Sequence, residues 1–393
     1  MSRTLKTKDV DAAASKDSAP GKDTPLLEFA VLEFRRKLIR WYRHHARKLP
    51  WRGVDDPYAT WLSEIMLQQT RVATVIDRYQ EFLLRFPTIS DLAAADEADV
   101  LALWSGLGYY RRARMLHRGA QFVEREMQGK LPHTSVELRT LPGVGEYTAA
   151  AIASIAFGES VPVLDGNVER VLLRLIGKPE EKSAQARARL VTIAGMLTPP
   201  ARRGRIAHGN APGDHNQAMM ELGATICLPR APLCLQCPVV AMCRTRGEHV
   251  TGARTKMQSR TVAHLLALRK RGVATEVLLE RRADDASLMA GMLELPALPL
   301  DVTEGREPAL RLRHAITNTN YYVQIFTENV ISQGGTGEPS VEHSLVEQIP
   351  AGKEVLDWVK TSRLAQLPLT GMTRKTLRRL QVMLVPKVKI GRE

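Results

Sequence analysis

Cysteine is almost absent from this chain of 393 residues, and all four copies fall between positions 227 and 243. A secreted domain held by disulfides spreads its thiols through the fold, so a local metal site in a reducing compartment is the expectation instead. Long apolar runs are lacking too: no segment approaches the ~18 consecutive apolar residues of a membrane span. The first 25 residues have no apolar core of the secretory kind; small and charged, they cannot bury enough surface to offset chain entropy and read as a disordered tail. Acid is the deficient charge, with 42 Asp and Glu against 56 Lys and Arg. The net +14 suits a polyanionic partner held through phosphate contacts, although a solvated basic surface would look the same.

What is present divides in two. From 26 to 246 the pattern is helical: Leu62, Ile65, Val72, Ile76, Tyr79, Leu83 and Phe86 recur at three- and four-residue steps, on one helix or a closely joined pair. Further helices are expected at 97–104, 110–128 and 148–157, with Pro57, Pro87, Pro132, Pro142 and Pro162 between them. Residues 247–260 carry no apolar stripe and read as a linker. Beyond it, 261–270, 275–282 and 321–330 read as strands, with Gly272 at a turn and helices at 353–364 and 373–385. The fold class is therefore multidomain, an all-α domain followed by an α+β domain over 261–390.

Three features carry chemistry. Cys227, Cys234, Cys237 and Cys243 give C-x6-C-x2-C-x5-C, able to wrap zinc or a cubane iron–sulfur cluster; a single C-x2-C flanked by gaps of six and five favours the cubane. Leu141-Pro142-Gly143-Val144-Gly145 precedes a helix near Glu146, so a tight glycine turn can present amides and a helix N-terminus to a phosphate, or be only a helix–helix turn. Glu64 stands in a run almost free of charge, where desolvation should keep it protonated as an acid. Asp165 should precede a helix, as an N-cap or as the anion that stabilises a cationic sugar.

These motifs, with WLSEIMLQQTRVATVI, WSGLGYYRRARMLH, VPVLDGNVERVL and NQAMMELGATIC in order, resemble the adenine DNA glycosylases of the helix-hairpin-helix superfamily over residues 30–245. The resemblance implies base-excision repair: monofunctional hydrolysis of the N-glycosidic bond of adenine opposite 8-oxoguanine or guanine in duplex DNA. It implies Glu64 as the acid, Asp165 as the stabiliser of the sugar cation, and Tyr147 and Asn167 as their hydrogen-bond partners. Trp51, Arg52, Leu67 and Gln217 are implied for the adenine pocket, and Gln69, Thr70, Leu107 and Tyr109 for the wedge that fills the gap left by the flipped base. Bifunctional lyases carry a lysine where this chain has Tyr147, so the strand should stay intact. The cysteines are implied to hold a 4Fe-4S cluster, with Arg230, Arg244 and Arg246 beside it facing DNA. Arg111, Arg112, Arg114, His117 and Arg118 would give a basic helix face beside the wedge.

Residues 261–390 more faintly resemble a Nudix-like lesion-recognition domain, with LLERR and SLMAGMLELP as strand and loop. The lesion-reading loop falls at Leu312–Asn318, where Ile316-Thr317-Asn318 replaces the family's Phe-Ser-His; Thr317 and Asn318 are its candidate contacts. No glycine-to-acid series follows Gly291, so Nudix hydrolysis is not expected. A monomer without membrane attachment, in a bacterial-type nucleoid-associated cytoplasm, completes the expectation. The alternatives are an endonuclease-III-like glycosylase for oxidised pyrimidines and a non-catalytic damage-binding iron–sulfur protein.

Overall fold

The computed structural model describes residues 24–181, 183–201, 211–248, 257–283, 285–286, 288–316, 318–330, 344–350 and 355–383. Up to Thr225 the described residues form helices: α1 (Thr24–His45), α2 (Pro57–Leu67), α3 (Val72–Arg85), α4 (Ile89–Ala93), α5 (Glu97–Trp104), α6 (Arg111–Met127), α7 (Ser135–Leu138), α8 (Glu146–Phe157), α9 (Gly166–Ile176), α10 (Ala184–Leu197) and α11 (Ala211–Thr225). The apolar stripe from Leu62 to Phe86 belongs to a joined pair, α2 and α3. Pro57 sits at the first turn of α2, where a missing N–H costs nothing, and Asp56 caps the helix through the Tyr58 amide at 2.8 Å.

The helices bury two apolar cores. Trp61, Leu62, Phe82, Trp104 and Ile152 centre the one built largely from α2 to α8. Phe34, Leu38, Leu172 and Leu222 centre the other, from α1 and α9 to α11. α9 and α11 approach so closely that a Cβ on Gly223 would meet Asn167 Cβ at 2.6 Å and its carbonyl oxygen at 2.9 Å. Glycine at 223 therefore sets where the N-terminus of α9 lies.

A seven-stranded mixed sheet follows: β1 (Gln258–Arg271), β2 (Ala274–Arg281), β3 (Leu293–Glu294), β4 (Ala297–Leu298), β5 (Leu310–Ile316), β6 (Thr319–Val330) and β7 (Val355–Lys360), then α12 (Gly371–Arg379). The order is β3-β2-β1-β6-β5, with β4 on β1 and β7 on β2. Among the described strands only β1 and β6 pair in parallel, in register from Gln258 opposite Thr319 to Arg269 opposite Val330. Ala263 to Ala267 are buried on both faces of β1: Leu266 lies in one apolar layer with Val277, Ile325 and Leu377, while Leu265 lies in the other with Leu278 and Phe326. The continuous apolar run reflects that double burial.

Two expectations change here. Residues 355–360 form β7 and 361–366 a 3-10 turn, where a helix over 353–364 was expected. The free edge of β2 offers main-chain partners from Glu276 to Arg281, and Arg269 stacks over the Trp358 ring at 4.3 Å, so tertiary pairing overrides a helix-like apolar spacing. α12 ends at Arg379 rather than near 385, because Gln381 turns left-handed and the Val382 and Met383 amides return to the Leu377 carbonyl. β1 begins at Gln258, inside the expected linker, while 249–256, like the tail before Thr24 and residues 384–393, lie outside the described residues.

Gly223→Ala should destabilise the protein by about 1–3 kcal/mol in urea unfolding, as overpacking does. Gly195→Ala, in exposed α10 with open space where a Cβ would stand, should stabilise it by about 0.5–1 kcal/mol. Equal effects of the two would contradict the close approach of α9 and α11.

Candidate active site

Between the two helical cores lies a cavity of about 400 Å³. α2 contributes Glu64 and Leu67, α8 Tyr147, the start of α9 Asp165 and Asn167, and α11 Gln217, Met220 and Glu221; Trp51, Arg52, Gln69 and Thr70 complete much of the wall. The two carboxylates singled out in the sequence thus share one space.

Their environments differ. Glu64 is 6% exposed, and its Oε2 accepts a hydrogen bond from the Tyr147 hydroxyl at 3.0 Å. Burial pushes its carboxyl up; the Tyr147 bond opposes this, Asp165's charge adds to it and Arg52 subtracts, leaving it at about 7. Asp165 is the N-cap of α9. One carboxylate oxygen accepts the amides of Asn167 and Val168 at 2.9 and 2.7 Å, and the other accepts Asn167 Nδ2 at 3.0 Å. Capping and a cavity-facing position coexist in one side chain.

Beside the cavity, α7 and α8 flank the Leu141–Gly145 hairpin. Gly143 has φ +78°, and a Cβ there would stand 2.4 Å from Met115 Cβ, so only glycine fits. Leu141 and Val144 are buried, Pro142 partly so, and Gly145 is the N-cap of α8 with no side chain to close it, which leaves the helix N-terminus open to an anion.

Residues 62–194 match the family of HhH-GPD superfamily base excision DNA repair proteins. This match lies within the helical region. The adenine DNA glycosylase of Homo sapiens is 49% identical over 227 residues, 55% of this chain and 40% of that protein. That of Buchnera aphidicola is 40% identical over 216 residues, 55% of this chain and 59% of the relative. The chain thus spans under two thirds of the length of either. Among solved structures, a thermostable thymine-DNA glycosylase matches at TM-score 0.50 and 27% identity, over 56% of this chain and 98% of that one.

The cavity also holds residues that the sequence pattern alone did not single out. Glu221, 1% exposed, accepts Arg47 Nε and Nη2 at 2.8 and 2.7 Å, the Arg47 amide at 3.0 Å and Arg52 Nη2 at 2.7 Å. Desolvation pushes its carboxyl up, but the bonds from Arg47 and Arg52 outweigh it and hold Glu221 at about 2. The signal that picked out Glu64, a glutamate in an uncharged run, is present at Met219-Met220-Glu221-Leu222 as well. Tyr42 donates to Gln217 Oε1 at 2.6 Å.

The expected wedge is only partly on the surface. Gln69 is exposed and Tyr109 is 46% exposed, whereas Leu107 is 4% exposed and packs in the core; its side chain is not free to meet DNA, and only its carbonyl faces Thr70, at 3.2 Å. The expected basic face on α6 is also corrected. Arg111 and Arg118 are exposed, but Arg112 turns inward, Arg114 pairs with Glu97 and the Ala290 carbonyl, and His117 is buried, because α6 packs on three sides. Asn318 is exposed at the β5–β6 turn, far along the chain from the cavity residues; Thr317 lies outside the described residues.

The four cysteines follow α11 on a loop with 3-10 turns at Cys234–Gln236 and Val240–Met242, all free and partly buried. Arg174 of α9 donates to Cys227 Sγ at 3.3 Å and to the Leu228 and Pro229 carbonyls at 2.7 and 3.0 Å. Burial pushes the Cys237 thiol up to about 11, and the sulfurs of Cys227, Cys243 and Cys234 act in the same direction. Among the described residues no three His, Cys, Asp or Glu side chains converge tightly enough for a single metal ion. Four thiolates on one zinc would sit about 3.8 Å apart. The donor set, four soft sulfurs on one loop, is of the kind that holds an iron–sulfur centre.

Because Glu64 binds its proton more tightly folded than unfolded, stability should fall as pH rises from about 4.5 to about 7. Glu64→Gln keeps an acceptor for Tyr147 without the charge. It should be more stable than the parent by about 3 kcal/mol at pH 8 and nearly equal at pH 4.5. A loss of stability at pH 8 in denaturant titration would contradict the protonated, desolvated state.

Proposed function

We propose that this protein is an adenine DNA glycosylase, hydrolysing the N-glycosidic bond of adenine opposite 8-oxoguanine or guanine in duplex DNA and leaving the strand intact. The single observation that carries the reading is one cavity lined by a buried carboxyl poised at about 7 and a carboxylate anchored at a helix N-terminus. Releasing a purine needs both: a proton on the leaving base and negative charge near the developing sugar cation. The names of the human and bacterial relatives point the same way.

In this reading the adenine leaves the helix and enters the cavity, since a stacked base cannot reach Glu64. Trp51, Leu67 and Gln217 bound the base, and the Glu221 carboxylate, held by Arg47 and Arg52, is an acceptor suited to an exocyclic amine. Glu64 gives its proton to a ring nitrogen of adenine, and the Tyr147 hydroxyl holds the carboxyl in place. The C1′–N9 bond breaks with its electron pair going to the protonated base, which leaves as neutral adenine. Asp165, oriented by Asn167, stabilises the sugar cation until water adds to C1′ and loses a proton. Tyr147 offers no amine for a Schiff base, so no strand scission follows.

The hairpin Leu141-Pro142-Gly143-Val144-Gly145 would hold a phosphate near the flipped nucleotide. Gln69, Thr70 and Tyr109 would occupy the space left in the duplex. Cys227, Cys234, Cys237 and Cys243 would hold a 4Fe-4S cluster, which when bound braces the loop that carries Arg230 and Arg246. The region after the linker would be a Nudix-like unit in which Asn318 and Thr317 face the opposing oxidised base. The working division is 26–246 and 261–390, in a monomer acting on cytoplasmic, nucleoid-bound DNA.

Single-turnover excision across a panel of opposing bases tests this. Adenine release should be fastest opposite 8-oxoguanine, with no nicking, and should fall tenfold per pH unit above about 7 as Glu64 loses its proton. Glu64→Gln should lose about 10²–10⁴-fold. Release of oxidised pyrimidines instead of adenine would favour an endonuclease-III-like enzyme, and inactivity on every adenine mispair would end the proposal.

A further inference from the structure

Two non-glycine residues on neighbouring loops are held in the left-handed region: Gln69, which lines the cavity, at φ 55°, and Tyr109 at φ 48°. Both are exposed, and they come from different loops, one between α2 and α3, the other between α5 and α6. L-residues rarely adopt this conformation unless their surroundings enforce it. One side chain reaches both loops. Arg112, in the first turn of α6, donates Nη1 to the carbonyls of Ile65, Met66 and Gln68 at 2.7, 3.0 and 2.6 Å. Its Nη2 donates to Thr70 Oγ1 at 3.0 Å and to the Leu107 and Gly108 carbonyls, both at 3.2 Å. Thus it grips the residues on both sides of Gln69 and the two residues that lead into Tyr109. The guanidinium also lies 5.4 Å from the Trp104 ring and 5.5 Å from that of Tyr109 itself.

A cation near the carbonyls at the end of α2 would serve as an ordinary helix cap. A cap does not need the second amine group on a different loop, nor the ring of an exposed tyrosine. Nη1 closes the end of the helix that carries Glu64; Nη2 ties the second loop to it, and Thr70 reinforces the tie through the Leu107 carbonyl at 3.2 Å. Lysine, a single point donor, could not span both loops.

We propose that Arg112 is a positioning residue that locks Gln69 and Tyr109 into one rigid wedge, so that it serves extrusion of the base rather than cleavage of the bond. The inference rests on reading the cavity as a glycosylase site. A wedge that can relax sideways when a base stack presses on it does not keep the stack open. Arg112 touches no cavity carboxylate, so the proton transfer and the charge at Asp165 do not depend on it directly.

The test compares the full-length protein with its Arg112→Met and Arg112→Lys variants on two DNAs. In one, adenine is paired with 8-oxoguanine; in the other, the same strand holds its adenine within a mismatched bubble, where no stack has to be broken. Relative to the parent on each substrate, Arg112→Met should slow excision at least tenfold from the paired DNA and less than threefold from the bubble. The decline of rate above pH about 7 should be unmoved on both. Arg112→Lys should fall between, and it carries the comparison alone where the methionine variant does not fold. The Gln69→Ala, Tyr109→Ala double variant should show the same substrate-dependent loss, with Arg112→Lys adding little to it. Equal slowing on both DNAs, no slowing on either, or full rescue by lysine overturns the proposal. A parent protein inert on both DNAs would instead remove the glycosylase reading, and the wedge with it.

Discussion

A carboxyl group stripped of water gives up its charge, and the helical part of this protein is arranged to keep Glu64 stripped. It sits on α2, whose residues from Tyr58 to Met66 are all buried, and the group that hydrogen-bonds its carboxyl is a neutral hydroxyl, that of Tyr147. Glu221 makes the comparison on the other wall. It is at least as deeply buried, yet two guanidiniums hold it ionised at about 2, while Glu64 rests at about 7. Burial alone does not decide the protonation state; the partner does.

The anchoring of Asp165 propagates in the other direction. α9 begins at that N-cap and ends against the cysteine loop, and its arginines run along it as struts. Arg170 bonds Asn167 Oδ1 at 2.9 Å, the Gly223 carbonyl at 2.7 Å and the Cys227 carbonyl at 2.8 Å. Arg174 continues the line to the Cys227 sulfur, and the Arg244 and Thr245 amides close on the carbonyls of Leu175 and Arg174. The missing Cβ at Gly223 lets α11 approach the same turn. A disturbance of the loop therefore has a short, hydrogen-bonded route to the carboxylate that faces the cavity, without any need for long-range charge.

Much of this was legible in the chain because the signals were local. The Leu141–Gly145 turn, the edges of α5 and α8, the pairing of β1 with β2 around Gly272, and the placing of Glu64 and Asp165 all follow from a few adjacent residues. What failed depended on partners distant in sequence. Arg47 and Glu221 meet across 174 positions, so the ion cluster in the cavity wall had no local signature beyond an uncharged run. β7 is a strand because the edge of β2 was free, which its own apolar spacing does not reveal. Arg112 and Arg114 read as surface cations, and only the folded chain shows carbonyls converging on them.

Tyr109 also stands where the two parts of the chain meet. Tyr110, next to Tyr109, is buried, and its hydroxyl and that of Ser105 both donate to the Leu369 carbonyl at 3.1 Å. Arg114, one turn along α6, reaches the Ala290 carbonyl, and Met292 from the loop before β3 packs into the helical core. The seam is thus built on the first turns of α6, the same turns whose Arg112 holds the left-handed residues. Tyr109 is one residue away from a contact with the region that carries the mixed sheet, whose two faces are both covered by apolar side chains. The loop at 105–110 is therefore tied, through Ser105 and Tyr110, to the segment that leads into α12.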